Sequence, residues 1–223
     1  MHSLDSAPEA ATVPIAGLAM DGAATGPIVH IIEDDPLVSR MLSVMLASAG
    51  IASRAHASAV DFLETAEGLG PGCIVTDLQM PQVDGIELIG RLARIGVRRP
   101  VIVISGRGGI PNAVLAMKAG ARDFIEKPLR RQALLPVVVA AIAADARAEP
   151  VVAEPAADDL LSRLSPREQT VLRGVVAGRG NKVIAHEMGI SSRTVEAHRA
   201  KIMMKTGARS LSELVRRAFL TGV

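Results

Sequence analysis

Four positions hold residues that could share chemistry. Glu33, Asp34 and Asp35 follow the β-branched run Ile28-Val29-His30-Ile31-Ile32, and Asp77 follows Cys73-Ile74-Val75-Thr76. Ser105 follows Val101-Ile102-Val103-Ile104, and Lys127, with Pro128 behind it, follows a weaker apolar stretch at 122–125. Crowded carboxylates repel one another unless a cation sits among them. Oxygen ligands without His or Cys favour Mg2+, which keeps waters and shares its coordination with a phosphoryl group. A lysine beside them would neutralise an oxygen of a phosphoryl group in transfer. A lone strand-end aspartate more often caps the next helix. The coincidence at four strand ends is what indicates a site.

Strands and helices must alternate for those ends to meet. The three short apolar runs read as strands buried on both faces, with weaker strands at 51–55 and 122–125. Helices are expected over 36–49, 58–67, 84–95, 111–119 and 129–146, with Pro36 and Pro111 in first turns and Pro136 awkward inside the last. The pattern is (βα)5, a doubly wound parallel sheet whose function lies beyond the carboxyl ends of its strands. The glycine-rich run 106–109 lacks the Gly-Lys-Ser/Thr of a nucleotide loop and reads as a flexible strand-to-helix loop.

Charge divides the 223 residues. Residues 1–159 carry 13 basic and 19 acidic side chains, a net −6, and residues 160–223 carry 12 and 4, a net +8. A basic module behind an acidic one suggests binding to a polyanion. Trp and Tyr are absent and Phe occurs three times, so base stacking on single strands is not expected. The single cysteine, Cys73, excludes an internal disulfide. The longest apolar run, Ala133–Ala144 with Pro136 inside it, is too short to span a bilayer. No Lys or Arg precedes Arg40, so a secretory signal is not expected and a cytoplasmic location is. Residues 1–26 read as a mobile arm, 27–146 as the α/β domain, 147–160 as a linker and 161–223 as a second, all-α domain.

That second domain reads as four helices. Ser165-Pro166-Arg167-Glu168 and Ser210-Leu211-Ser212-Glu213 are capping boxes. Asn181 is expected to cap the second helix, which stops at Gly189, and Ser191 or Ser192 the third, which stops near Gly207. Helices two and three form a helix-turn-helix, with Ile184, Met188, Ile190 and Val195 in the shared core. The third helix buries Val195 and Ile202. Its opposite face, Arg193, Glu196, Ala197, Ala200 and Met204, would enter a DNA major groove. Glu196 could accept from cytosine N4, and Arg193 could contact guanine or phosphate. Lys182, Arg199, Lys201 and Lys205 suit phosphates.

Glu33-Asp34-Asp35, Thr76-Asp77-Leu78-Gln79-Met80-Pro81, Asp84-Gly85, Ser105-Gly106 and Glu126-Lys127-Pro128 together resemble the receiver domain of bacterial response regulators. The resemblance implies strand order 2-1-3-4-5 and makes Asp77 the acceptor of a phosphoryl group from a sensor histidine kinase. Asp34, Asp77 and the Gln79 backbone carbonyl would hold Mg2+, with Glu33 reaching it through water. Ser105 would follow the phosphoryl oxygen, Lys127 would pair with it, and Phe124 would switch rotamer. Asp35, one residue past the acidic pair, fits a helix cap instead.

Residues 161–220 resemble the NarL/FixJ (LuxR-type) output domain, through Leu164-Ser165-Pro166-Arg167-Glu168, Asn181-Lys182-Val183-Ile184-Ala185 and the stretch Ser192–Met203. Glu126-Lys127-Pro128 and the recognition helix look nearest the FixJ branch. The resemblance adds Ser192 and Thr194 to the DNA-facing residues. It implies a transcription factor rather than an enzyme, with a sensor kinase, duplex DNA and, through transcription, RNA polymerase as partners and no membrane. Phosphorylation would favour a homodimer through helix four, strand five and helix five. The surplus apolar residues of helix five (Leu134, Leu135, Val137, Val138, Val139, Ile142) would lie at that interface, or would pack on the linker or output domain and hold it inactive. The rival readings are a phosphorylation-independent DNA-binding regulator with a protein-binding receiver, and a small Mg2+-dependent phosphatase or adaptor.

Overall fold

A computed structural model describes residues 26–106, 109–147 and 161–221. The expected arm up to Thr25 and the expected linker beyond Arg147 lie outside the described residues.

The first domain alternates β1 (Ile28–Ile32), α1 (Pro36–Ala47), β2 (Ser53–His56), α2 (Ala59–Glu64), β3 (Gly72–Asp77), α3 (Gly85–Arg94), β4 (Val101–Ser105), α4 (Ile110–Ala119), β5 (Asp123–Glu126) and α5 (Arg131–Ala146). The strands pair in parallel in the order β2-β1-β3-β4-β5. The inner strands are apolar throughout because helices cover both faces. Successive residues serve opposite cores. Val29, Ile31, Cys73, Val75, Ile102 and Ile104 pack with α1 and α5, while Ile32, Ile74, Val101 and Val103 pack with α2, α3 and α4. The register Ile32↔Thr76 and Asp77↔Ile104 brings the ends of β1, β3 and β4 to one rim.

Local chemistry sets the boundaries. Asp35 caps α1, its Oδ1 accepting from Leu37 N at 2.8 Å. Ser58 caps α2, and Thr65 Oγ1 donates to the Phe62 carbonyl at 3.1 Å. That side chain competes with the helix ladder, so α2 ends at Glu64, short of the expected 67. Pro136 is accommodated within α5.

β2 is the polar edge strand, and its His56 pairs with His30 of β1. Their ring nitrogens, His30 Nδ1 and His56 Nε2, lie 3.0 Å apart, and Phe62 packs on both rings. Burial, then the neighbouring His56 and Arg54, hold the His30 imidazole down to about 4, from an ordinary value of 6.5. A folded value below the unfolded one means that this group's stabilisation is present above pH 6.5 and is lost as pH falls from 6.5 towards 4. The thermal midpoint of the protein should therefore drop across that window. His30→Phe, which keeps the ring packing without the titration, should flatten the drop. Equal slopes for the two proteins in a pH series of thermal melts would refute the assignment.

The second domain consists of α6 (Pro166–Val176), α7 (Asn181–Met188), α8 (Ser192–Thr206) and α9 (Leu211–Leu220). Ser165 and Glu168 form a reciprocal capping box. Gly189, in the left-handed conformation at φ 64°, ends α7 and makes the turn into α8, which Ser191 caps. One expectation fails here. The N-cap of α7 is Gly180, and the Asn181 side chain makes no cap bond. It reaches across to α8 instead.

Candidate functional site: an acidic rim and a helix-turn-helix face

The carboxyl ends of β1 and β3, neighbours at the point where strand order reverses, bring Glu33, Asp34 and Asp77 together. Ligand atoms of the three lie within 4.8 Å of one another. Glu33 and Asp77 are buried and Asp34 is exposed. Lys127, just beyond β5, reaches the same place. Its Nζ lies 2.8 Å from Glu33 Oε2 and 2.8 Å from Asp77 Oδ1. Burial pushes the Glu33 carboxyl up and the nearby Asp77 charge adds to this, while the Lys127 ammonium opposes it. Burial works against the Lys127 charge, yet hydrogen bonds and the charges of Asp77 and Glu33 prevail and raise its pKa.

The two oxygens of Asp77 differ. Oδ2 accepts from Gln79 N at 2.8 Å. Oδ1 is buried and lacks a hydrogen bond of proper geometry, so its contact with Lys127 is ionic rather than directional. Its charge is matched by that ammonium, but its hydrogen-bonding capacity is left unfilled. Three carboxylates against one ammonium leave the rim negative, and an all-oxygen donor set suits a hard divalent cation such as Mg2+. The residues present fit that ion.

Ser105 ends β4, fully buried, and its carbonyl accepts from Lys127 N at 2.8 Å. Phe124 lies in the core shared with α4 rather than at the rim. Gln79 is exposed, with its N–H turned to Asp77. Sequence reasoning assigned Gly85 no part of its own. A Cβ there would stand 2.5 Å from the Asp77 carbonyl oxygen, so α3 can start this close to the end of β3 only with glycine. The adjacent Asp84, which caps α3, was the signal that a helix begins at this point.

On α8, Val195 and Ile202 are buried, and Arg193, Thr194, Glu196, Ala197, Ala200, Lys201 and Met204 are exposed, as is Lys182 on α7. Ser192 is half-buried beside the Ser191 cap. Two of the expected phosphate-binding cations are already engaged. Lys205 Nζ is 2.7 Å from Glu168 Oε2 and holds that carboxyl down to about 2, with help from Ser165 N. Half-buried Arg199 donates to Asn181 Oδ1 at 3.2 Å. Burial lowers the Arg199 pKa, while the carboxylates of Glu126 and Glu196 favour its charge. His198 has a buried Nδ1 without a hydrogen-bond partner.

The two domains share one apolar cluster, in which α4 residues Ile110 and Val114 join Val175, Leu214 and Ala218 of the second domain. Helix α9 packs on α4 and β5, and α6 also meets α4. The Ser212 hydroxyl donates to the carboxylate of Asp123 on β5, and Lys118 Nζ lies 5.9 Å from the Phe219 ring centre. The second domain thus takes the α4–β5 face. That corrects the alternative in which helix five would pack on the output domain and hold it. Most of the surplus apolar residues of α5 pack into the receiver core, and Val139 is left exposed.

Comparisons with known proteins agree with this division. Residues 29–139 match the response regulator receiver domain, and residues 162–218 match the bacterial regulatory proteins of the luxR family. The transcriptional regulatory protein FixJ of Azorhizobium caulinodans is 45% identical over 198 residues, which span 87% of this chain and 93% of that protein. FixJ of Rhizobium meliloti is 45% identical over 197 residues, spanning 87% and 96%. The crystal structure of full-length FixJ from B. japonicum superimposes with a TM-score of 0.52 at 41% identity, covering 88% of this chain and 97% of the other. FixJ-N alone reaches 0.50 over 52% of this chain and 94% of its own, at 42% identity, so the receiver carries most of the superposition. No helix among the described residues is long and apolar enough to cross a membrane. With both domains matched in order and nearly their whole length shared with these regulators, the chain belongs to the FixJ-like response regulators, which join a receiver domain to a LuxR-type DNA-binding domain.

Proposed function

We propose that residues 27–146 receive a phosphoryl group at Asp77 from a phosphohistidine of a sensor kinase, and that this controls duplex DNA binding by residues 161–223 in the cytoplasm. The observation that carries the reading is Lys127 Nζ at 2.8 Å from both Glu33 and Asp77, with Asp34 in the same cluster. An Asp77 oxygen attacks phosphorus, the N–P bond breaks, and its electron pair leaves on the imidazole. Lys127 stabilises charge on the phosphoryl oxygens in transit. Asp34, Asp77 and the Gln79 carbonyl would hold Mg2+, with Glu33 acting through water, and the ion would supply further charge neutralisation. Ser105, at the end of β4, and Phe124, within β5 in the core shared with α4, are the proposed relay to the α4–β5 face. The donor must approach along the rim where α1 starts, and the exposed side chains Leu37, Met41 and Val44 form an apolar stripe there. This is where the kinase would rest.

The docked arrangement suggests how the signal acts. A receiver dimer built on α4 and β5 and an output domain seated on the same elements exclude each other. Phosphorylation that favours the dimer thereby releases α8 for the major groove, and two such helices would lie about one DNA turn apart. In that groove Arg193, Thr194, Glu196, Ala197 and Ala200 would face bases, with Lys182, Ser192, Arg199 and Lys201 nearer the backbone. Lys205 is the weakest of the proposed contacts, because DNA would have to compete with Glu168 for it.

The test is incubation of the full chain with acetyl phosphate and Mg2+, followed by intact mass, sedimentation and duplex binding at several salt concentrations. Gain of one phosphoryl mass, a shift to dimer and tighter, salt-dependent duplex binding are expected. A phosphorylated protein that stays monomeric on and off DNA would refute the coupling.

A further inference from the structure

Asn181 stands where a helix cap was expected, yet its side chain caps nothing. It crosses from α7 to exposed Glu196 and half-buried Arg199 on α8. Its Nδ2 donates to Glu196 Oε1 at 3.3 Å, and its Oδ1 accepts from Arg199 Nη1 at 3.2 Å. Glu196 and Arg199 are three residues apart, so they share a helix face, and the one amide holds an anion and a cation there together.

We infer that Asn181 is a positioning residue for sequence readout: its carboxamide holds Glu196 so that the second carboxylate oxygen meets a base amino group in the major groove. This rests on the proposal that α8 enters that groove. A carboxylate beside phosphates is repelled unless it accepts a hydrogen bond from a base, and cytosine N4 and adenine N6 are the donors the groove offers. With Oε1 taken by Asn181, Oε2 is left for such a donor. An unheld glutamate would have to order its side chain on binding, which costs affinity for the matching base. A held one has already done so. Arg199 gains less freedom of aim but the same preorganisation, and its charge beside Glu196 offsets the repulsion from the backbone.

The experiment is selection of duplexes from a randomised pool by the full chain treated with acetyl phosphate and Mg2+. It compares wild type with Asn181→Ala, Asn181→Asp, Glu196→Ala and the double variant Asn181→Ala/Glu196→Ala. Asn181→Asp keeps the acceptor for Arg199 but sets an anion against Glu196, so it isolates that arm. Glu196→Ala should erase preference at one base pair per half-site. Both Asn181 variants should lose about tenfold discrimination at that same base pair and little elsewhere. In the double variant, Asn181→Ala should add nothing at that position. Uniform weakening on all sequences, or unchanged discrimination in Asn181→Ala and Asn181→Asp, would overturn the inference while leaving DNA reading intact. A pool from which wild type itself enriches nothing would overturn the DNA-reading proposal as well, and so separates the two failures.

Discussion

Asp77→Asn should take up no phosphoryl group from acetyl phosphate and Mg2+ under conditions that fully load the wild-type chain. An amide nitrogen has no lone pair free for attack, and a neutral amide is a poor nucleophile at oxygen. The change is nearly isosteric, and the acceptor for Gln79 N can be kept. Lys127 also retains Glu33 as a partner at 2.8 Å. Removing one of three clustered carboxylates relieves repulsion but also gives up the Asp77–Lys127 ion pair, and with the two opposed stability should change by no more than about 1 kcal/mol. Intact mass reads the first effect and a thermal melt the second. Dimerisation and the gain in duplex binding should disappear with the phosphoryl group. A variant that folds, stays unmodified and still responds to acetyl phosphate would mean that Asp77 is not the acceptor.

The second large effect is expected at the domain interface. Asp123 accepts from Ser212 across it. Burial pushes the Asp123 carboxyl up, the bonds from Ser212 and Phe124 N oppose this, and the Arg216 charge helps to hold it ionised. Asp123→Lys replaces that acceptor with an ammonium facing Arg216. A lost hydrogen bond to a charged group and a new like-charge contact should together loosen docking by roughly 2–3 kcal/mol. If only undocked molecules bind DNA, apparent affinity scales with their fraction, so the unphosphorylated variant should bind duplexes about 30–150-fold more tightly than unphosphorylated wild type. Fluorescence anisotropy on a labelled operator duplex measures it. Equal affinity for the two unphosphorylated proteins would show that the α4–β5 contact does not gate DNA binding.

Much of this molecule could be read in its sequence because the signals were local. Three strands were visible as short β-branched runs and two as weaker stretches at 51–55 and 122–125, and the sheet order followed from the receiver resemblance. The capping box at Ser165, the cap at Ser210 (where Glu213 accepts from Arg209 N, so the expected reciprocal box is not completed) and the stop at Gly189 marked the output helices, since a cap bond joins residues two or three apart. The acidic rim was legible for a different reason. Parallel strands place all their carboxyl ends on one side, so Glu33, Asp34, Asp77 and Lys127 had to meet once the alternation was right.

Tertiary structure alone decided the partners of side chains that reach beyond their own element. Asn181 carries a good cap residue's chemistry, yet it spends its amide on α8 because the tight turn at Gly189 brings the two helices within its reach. Lys205 reads as a phosphate contact until α6 supplies Glu168. Helical periodicity identified an apolar excess on α5 but could not say which surface the second domain covers. That choice fell to α4 and β5, through Val114, Asp123 and Lys118 meeting α9 and its neighbours. A residue pattern states which face avoids water. Which neighbour takes that face depends on distances between elements far apart in the chain, and only the packed molecule sets those distances.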